Sequence, residues 1–454
     1  MADMTVKGAA LAAAQAGDFS SLPIHNPAVE CASRQEIRAL QLERLIEQVR
    51  WTYDRVAWYR ERMDRDGVSP DDIKTLEDVR KLPFTDKSVL RDTFPYGLFA
   101  VPLDQVKELH SSSGTTGKPI VVGYNDHDME LWADCIMRLV QMAGVVPGDR
   151  AQMAFGYGMF TGGFGLHYGL QKLGCMMIPA GSGNTERHIA MIQDYGTTVL
   201  VATPSYALHM CEVGERMGFD WERSTLRVGL FGGEPCPPGL KAEIESRMRI
   251  VCTDNYGLTE VMGPGVSGEC LAARDMQHIA EDHFLWEVID PETGEPVADG
   301  QMGELVLTPL GKQAIPVLRY RTHDLTRVVT EPCACGRTTA RMQKVRARSD
   351  DMLIIRGTNV FPSQVEDVLT GIEGVTPHYR IVVDNEGGLD RMAVHVELKP
   401  EAFSDSFEEM DRFRRAIEEK LKGVLLVGVR VKLVEPGGIE RSLGKTKHVE
   451  DRRK

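Results

Sequence analysis

The 454-residue sequence predicts an α/β protein in two domains. Residues 1–349 form a large N-terminal domain of parallel sheets covered by helices, completed by a small β-barrel-like part, and residues 350–454 form a small α+β domain. Three observations predict this. Short apolar runs alternate with helix-length segments between residues 151 and 257, the pattern of buried parallel strands joined by helices. Beyond residue 300, "GELVLTPL" and "TRVVTE" read as antiparallel strands. After "RSDD", which begins at residue 348, the composition changes, which places the boundary at about Asp350.

The elements follow in order. Ile37, Leu40, Leu45, Ile46, Val49, Tyr53, Val56 and Tyr59 recur near helical spacing and predict a helix over about 35–62. "SPDDIKTLEDVRKLPFTDK" then alternates turn residues with short helical pieces. Residues 128–143 predict an amphipathic helix with Trp132, Cys135, Ile136, Leu139 and Met142 on one side. Buried strands are expected at "AQMAF", "CMMIPA", "TVLVATP", "VGLFGG" and "IVCTDNYG". Ligands bind at the carboxyl ends of such strands, and Gly/Thr/Glu-rich segments follow them here. In the second domain "RIVVD" and "MAVHVELKP" predict a strand pair, 407–422 a helix and "VRVKLVE" a last strand.

Composition narrows the function classes. A content of 42% hydrophobic and 26% charged residues is that of a soluble globular protein. A net charge of -13 opposes nonspecific nucleic-acid binding, which rests on basic surface. The 9 cysteines are scattered, apart from Cys333 and Cys335, and do not resemble a secreted disulfide framework. No apolar run is long enough for a membrane span. The N-terminal "KGAALAAAQAG" is nearly all alanine with a single lysine before it, so a frayed or helical extension and a cytoplasmic protein are expected rather than a signal peptide.

Five stretches carry candidate chemistry. "SSSGTTGKP" at 111–119 offers hydroxyls, backbone N–H groups and one lysine to an anion. It is not the standard phosphate loop G-x-x-x-x-G-K-[ST], because Ser112 stands where glycine is required and Pro119 where Ser/Thr is required. "GGIERSLGKT" also fails, because five residues separate Gly438 from Gly444. The others are "FGGEP" (231–235), "DNYGLTE" (254–260), "RYRTHDL" (319–325) with "RSDDMLIIRGTNVFP" (348–362), and "RSLGKTKHV" (441–449). Singly each has a bland explanation: a flexible turn for the loop, a helix-start charge for Glu260, a cap for Asp324, a solvated tail for Lys445. A C-x-C at Cys333 and Cys335, with Cys270 and His278, has the ligand types of a Cys₃His zinc site, against the alternative of idle buried thiols. Phe155, Tyr157 and Phe160 in "AFGYGMFTGGFG" suit either a flat-ring pocket or the core.

Taken in this order and spacing, the stretches resemble the phenylacetate–coenzyme A ligases, within the acyl-adenylate-forming superfamily. "SSSGTTGKP", "YGMFTGG", "YGLTEVMGPGVSGEC", "EDHF" and "RSDDMLIIRGTNVFPSQVE" carry the resemblance, which runs from about residue 35 to the end. It implies an ATP-dependent aryl-acid:CoA ligase that uses Mg²⁺ and forms an acyl-adenylate before the thioester. Ser111, Ser112, Ser113, Gly114, Thr115, Thr116, Gly117 and Lys118 would hold the departing pyrophosphate. Gly232, Gly233, Glu234 and Pro235, with Asp254, Asn255, Tyr256 and Gly257, would shape the adenine pocket. Thr259 would touch the α-phosphate, Glu260 would ligate Mg²⁺, and Asp324 and Arg348 would hold the ribose. Phe155 and Phe160 fall at acid-pocket positions.

The resemblance further implies a mobile C-terminal domain that swings about Asp350 between half-reactions. Lys445 would enter for adenylation, and Gly357 would line the CoA tunnel afterwards. Some members of the family carry a structural zinc at the Cys/His positions, and a homodimer is common among them. The rival readings are an adenylate-former that serves a carrier-protein thiol or an amine, and a catalytically silent binding protein on the same fold.

Overall fold

The computed structural model describes residues 17–19, 22–111, 119–345, 347–349, 351, 353–356, 358–386, 389–404, 406–440 and 448–453. The alanine-rich start, Ser112 to Lys118, the expected hinge Asp350, the expected tunnel residue Gly357 and the expected catalytic Lys445 lie outside the described residues.

Helix α1 (Arg34–Arg55) begins at a capping box: the Ser33 hydroxyl accepts from the Glu36 N–H while the Glu36 carboxylate accepts from the Ser33 N–H. The single helix expected over 35–62 is two. Val56 is extended, with φ -111° and ψ 107°, and α2 (Ala57–Arg65) starts after it. A hairpin of β1 (Glu108–Ser111) and β2 (Val121–Tyr124) leads into α3 (Asp126–Met142), capped by the Asn125 side chain. The α/β alternation then runs β3 (Arg150–Met153), α4 (Thr161–Leu173), β4 (Met176–Ile178), α5 (Thr185–Asp194), β5 (Val199–Ala202), α6 (Pro204–Arg216), β6 (Val228–Phe231), α7 (Pro238–Met248) and β7 (Val251–Leu258). These are the expected strands, and they pair in parallel in the order β4-β3-β5-β6-β7. Every residue of β5 and β6 is buried, as a sheet covered on both faces requires.

The sheet continues beyond β7 with antiparallel strands: β8 (Gly263–Cys270), β9 (Ala273–Ile279), then β14 (Arg341–Gln343) and β13 (Val328–Val329) at the edge. Glycines make room for α3 on β8; a Cβ at Gly268 would stand 2.8 Å from that of Leu139. A second sheet, β10 (Phe284–Ile289), β11 (Gly303–Pro309), β12 (Tyr320–Thr326) and β15 (Ala347–Arg348), is antiparallel and open. The expected β-barrel-like part is therefore this four-stranded sheet, with no closed barrel among the described residues.

The C-terminal unit has its own core, which includes Ile355, Val394, Ile417 and Val431. It consists of the hairpin β16 (Leu353–Ile355) and β17 (Thr358–Val360), α8 (Pro362–Thr370), β18 (Val375–Glu386), β19 (Leu389–Leu398), α9 (Phe407–Leu425), β20 (Val429–Val434) and β21 (Val449–Asp451). Its four-stranded sheet is ordered β20-β19-β18-β21. No helix among the described residues is long and apolar enough to cross a membrane.

Candidate active site

The parallel strands β3, β5, β6 and β7 end at one edge of the large sheet, where an α/β fold leaves a crevice for ligands. Phe155, which follows β3, is buried, and Phe160, the cap residue of α4, is half-exposed; their ring centroids are 6.4 Å apart. A Cβ on Gly233 would stand 3.8 Å from Phe155 and 4.0 Å from Phe160, so the "FGGEP" loop converges on the same two rings. Tyr157 packs instead against Phe164, at 5.3 Å between centroids, and its hydroxyl meets His167 Nδ1 at 2.9 Å. Burial pushes the Tyr157 hydroxyl up to about 12. Ser111, the last residue of β1, donates its N–H to Met159 O at 2.9 Å, which ties the end of β1 to the loop that precedes α4.

At the end of β7 the chain closes a tight turn in which the N–H groups of Val261 and Met262 both donate to Leu258 O. Only glycine fits at 257, because a Cβ there would stand 1.5 Å from Gly263 O. The turn presents Thr259 and Glu260. Thr259 Oγ1 lies 3.2 Å from Thr161 Oγ1, and Glu260 Oε1 lies 3.4 Å from Lys87 Nζ. Behind the turn sits a residue that sequence reasoning missed. Lys312 is fully buried, donates from Nζ to Val261 O at 2.7 Å, and lies 4.5 Å from the centroid of the Tyr124 ring. Burial pushes its ammonium down to about 8, opposed by the carboxylates of Asp128 and Glu260. The available sequence signal was a lysine inside the apolar run "LGKQAIPV", a pattern that fits a snorkelling surface lysine equally well.

The two residues expected at the ribose, Asp324 and Arg348, are in contact. Strand pairing sets Asp324 opposite Arg348, whose Nη1 donates to Oδ1 at 2.9 Å, while the Tyr256 hydroxyl donates to Oδ2 at 2.5 Å. Burial, then the Asp324 charge, raises the Tyr256 hydroxyl well above its ordinary value. Asn255 Nδ2 donates to Phe231 O at 2.5 Å, and a Cβ on Gly232 would come within 2.9 Å of Asn255 Oδ1, so "FGGEP" lies directly on "DNYG". Glu234 accepts from the Ser205 N–H at 2.8 Å, ahead of Pro235. Asp254 joins a buried charge cluster: Glu269 receives Lys241 at 2.6 Å and Lys344 at 2.7 Å, and Lys344 lies 3.7 Å from Asp254. Burial raises the Asp254 carboxyl above its ordinary range. Lys87, Lys241, Glu269 and Lys344 were not anticipated from sequence.

The four predicted soft ligands come together away from this edge. Cys270, His278, Cys333 and Cys335 are all buried, and their ligand atoms lie within 4.8 Å of one another. Cys270 and Cys333 sulfurs are 3.7 Å apart, and Cys335 Sγ lies 3.5 Å from His278 Nε2. The other imidazole nitrogen, Nδ1, meets Thr339 Oγ1 at 2.9 Å, the outer contact that fixes a ligating ring. Hydrogen bonding with Cys270 lowers the Cys333 and Cys335 thiols, and the same contacts raise that of Cys270. The donor set and its closeness fit a tetrahedral Zn²⁺.

Comparison with known proteins places this geometry. Residues 99–310 match the profile of the AMP-binding enzymes, and residues 357–453 that of the AMP-binding enzyme C-terminal domain. The chain is 47% identical over 440 residues to a phenylacetate-coenzyme A ligase of Aromatoleum evansii, covering 95% of this chain and 99% of that one. It is 45% identical to the phenylacetate-coenzyme A ligase of Escherichia coli strain K12, covering 94% and 97%. Among solved structures it is similar to a 2-hydroxyisobutyryl-CoA ligase in the postadenylation state with 2-HIB-AMP, at 27% identity and TM-score 0.89, covering 96% of this chain and 95% of that one. The same enzyme in its thioesterification state, with CoA, gives a TM-score of 0.70 at 28% identity and the same coverage.

Proposed function

The chain belongs to the adenylate-forming AMP-binding enzymes and, within them, to the phenylacetate–coenzyme A ligases, and from that membership we propose a two-step mechanism on the residues just described. The protein is an AMP-forming acid–thiol ligase that joins an aryl acid to CoA at the expense of ATP. In the first step the acid's carboxylate attacks the α-phosphorus of ATP, the bond to the β-phosphate breaks, and acyl-AMP and pyrophosphate form. In the second step the CoA thiol loses its proton, its sulfur attacks the acyl carbonyl, and AMP leaves.

We assign the space between Phe155, Phe160 and Gly233 to the aromatic ring, with Tyr157 setting the packing behind it. Asp324 accepts from the ribose hydroxyls, held in place by Arg348 and Tyr256. Gly232 to Pro235 and Asp254 to Gly257 flank adenine, with the Asp254 carboxyl supporting the strand from behind. Thr259 approaches the α-phosphate, and Ser111 to Lys118 receive the pyrophosphate. Glu260 is the residue that would hold Mg²⁺, which supplies charge neutralisation to the phosphates. Zn²⁺ at Cys270, His278, Cys333 and Cys335 would be structural, since the cluster lies apart from the reacting groups. Residues 350–454 act as the mobile domain, with Asp350 as hinge, Lys445 for adenylation and Gly357 at the CoA tunnel.

The observation that carries this reading is the meeting, at one sheet edge, of the two-ring space, the Thr259–Glu260 turn and the Asp324–Arg348 corner. The test is pyrophosphate exchange into ATP with phenylacetate, followed by mass detection of acyl-CoA. Exchange that needs the acid, and a thioester that needs CoA, are expected. Exchange without a CoA product would favour a carrier-protein or amine acceptor, and no acid-dependent exchange would refute an enzyme of this kind.

A further inference from the structure

Among the described residues, contacts join the C-terminal unit to the N-terminal domain on one face. His378, on β18, places Nε2 3.5 Å from Glu212 Oε1 on α6. The other carboxylate oxygen of Glu212 lies 3.6 Å from His209 Nδ1, one helical turn earlier, so one carboxylate stands between two imidazoles from different domains. Gly239, in the first turn of α7, approaches the end of α8 so closely that a Cβ would stand 3.4 Å from that of Thr370.

The neighbour of His378, Tyr379, stacks on His448 with ring centroids 4.2 Å apart and 11° between planes. His448 Nδ1 meets Tyr379 O at 3.1 Å, and His448 O accepts from the Ile381 N–H at 2.7 Å. His378 therefore belongs to a strand that is tied to the last strand of the C-terminal sheet. Over the whole chain the similarity is greater to the postadenylation state of the related 2-hydroxyisobutyryl-CoA ligase, at TM-score 0.89, than to its thioesterification state, at 0.70.

We propose that Glu212 and His378 are positioning residues for adenylation: their contact favours the pose of the C-terminal unit described here and is released for thioester formation. This rests on the two-step, moving-domain reading above. Neither residue touches ATP, acid or CoA in this reading; each acts through the seating of the C-terminal unit. The contact is partly exposed, with side-chain accessibilities of 31% for Glu212 and 14% for His378, so its effect is modest.

Glu212→Gln, His378→Ala and the double variant test this against wild type in the two half-reactions measured separately. Each single variant should lose about three- to fivefold in acid-dependent ATP–pyrophosphate exchange, and the double variant no more than the worse single. Conversion of supplied acyl-adenylate and CoA to acyl-CoA should stay within 1.5-fold. Exchange within 1.5-fold in both singles, multiplying losses in the double variant, or equal losses in the two half-reactions would each overturn the proposal. Lys445→Ala, measured alongside, separates the proposal from its premise. If that variant is selective for adenylation while the Glu212 and His378 variants are silent, the contact alone is wrong. If it impairs both half-reactions equally, the moving-domain reading falls with it. Melting temperatures of all variants guard against a folding defect, which would lower both half-reactions together.

Discussion

Replacing Lys312 by Met should change how stability depends on pH, and the size of the change follows from the residue's burial. The ammonium is fully buried against Val261 O and the Tyr124 ring, and burial pushes its pKa down from 10.5 to about 8. The folded-state value lies below the unfolded one, so between pH 8 and 10.5 the unfolded chain carries the extra proton. Stability from this group therefore rises with pH across that window and is lowest at and below pH 8. The full depression corresponds to about 3 kcal/mol, of which about 2 kcal/mol should be regained between pH 7 and pH 9.5.

Lys312→Met abolishes that slope and also leaves Val261 O without its buried donor, a loss of about 1–3 kcal/mol. At pH 7 the relief and the loss largely cancel, and the variant should lie within about 2 kcal/mol of wild type. At pH 9.5 wild type should have drawn ahead by about a further 2 kcal/mol. Urea unfolding at pH 7, 8, 9 and 9.5, followed by tryptophan fluorescence, measures this. Trp132 is buried and stacked 4.6 Å from Tyr124, so it reports on this region. Differencing variant against wild type removes the titration of every group they share. Parallel stability curves across the range would refute the claim that Lys312 is held charged in the core.

Three further outcomes are expected. Purified protein should contain about one zinc per chain, and Cys333→Ser with Cys335→Ser should lower zinc content and melting temperature more than turnover; a metal-free, fully folded and active wild type would remove the zinc assignment. Phe160→Ala should raise KM for aromatic acids, or broaden acid selectivity by about 1–3 kcal/mol, with KM for ATP nearly unchanged; equal losses toward all substrates would make Phe160 a folding residue. Lys445→Ala should lower acid-dependent exchange by about a hundred- to a thousandfold and leave thioester formation from supplied adenylate near wild type, while Lys447→Ala keeps adenylation; the reverse pattern would move the assignment by two residues.

The parallel half of the large sheet was legible because β5 and β6 are short, wholly apolar runs and helix-length segments separate the strands. Of the antiparallel half, the edge strand β13 was legible within "TRVVTE" and β8 was not. β8 reads "GPGVSGEC", which looks like a loop, yet all of it is buried because its glycines let α3 approach. The α1–α2 break was invisible for a similar reason: Val56 keeps the helical apolar spacing while its backbone is extended. In the candidate site, the motif-borne residues Glu260, Thr259, Asp324 and Arg348 were expected through resemblance, and the structure brings the last two into direct contact. Lys312, Lys87 and the Lys241–Glu269–Lys344 cluster were not, since an isolated charge in a sequence does not reveal which distant carbonyl or carboxylate will meet it.

The proposed cycle calls for two units joined by contacts that can be released. In it, adenylation brings a carboxylate against a polyphosphate, and the mobile cation proposed above offsets that repulsion only while the two anions are together. Once pyrophosphate has left, the same cation has no further task, and the thiol needs access to the carbonyl. A large apolar interface would lock the first pose and make its release the slow step. The C-terminal unit instead carries a complete core of its own, so it can leave the surface without exposing that core. Among the described residues it meets the N-terminal domain at a carboxylate–imidazole contact and at the close approach of Gly239 to Thr370. Each is individually modest, so together they can bias that pose without trapping it. Strengthening the Glu212–His378 contact should then speed adenylation less than it slows the complete cycle.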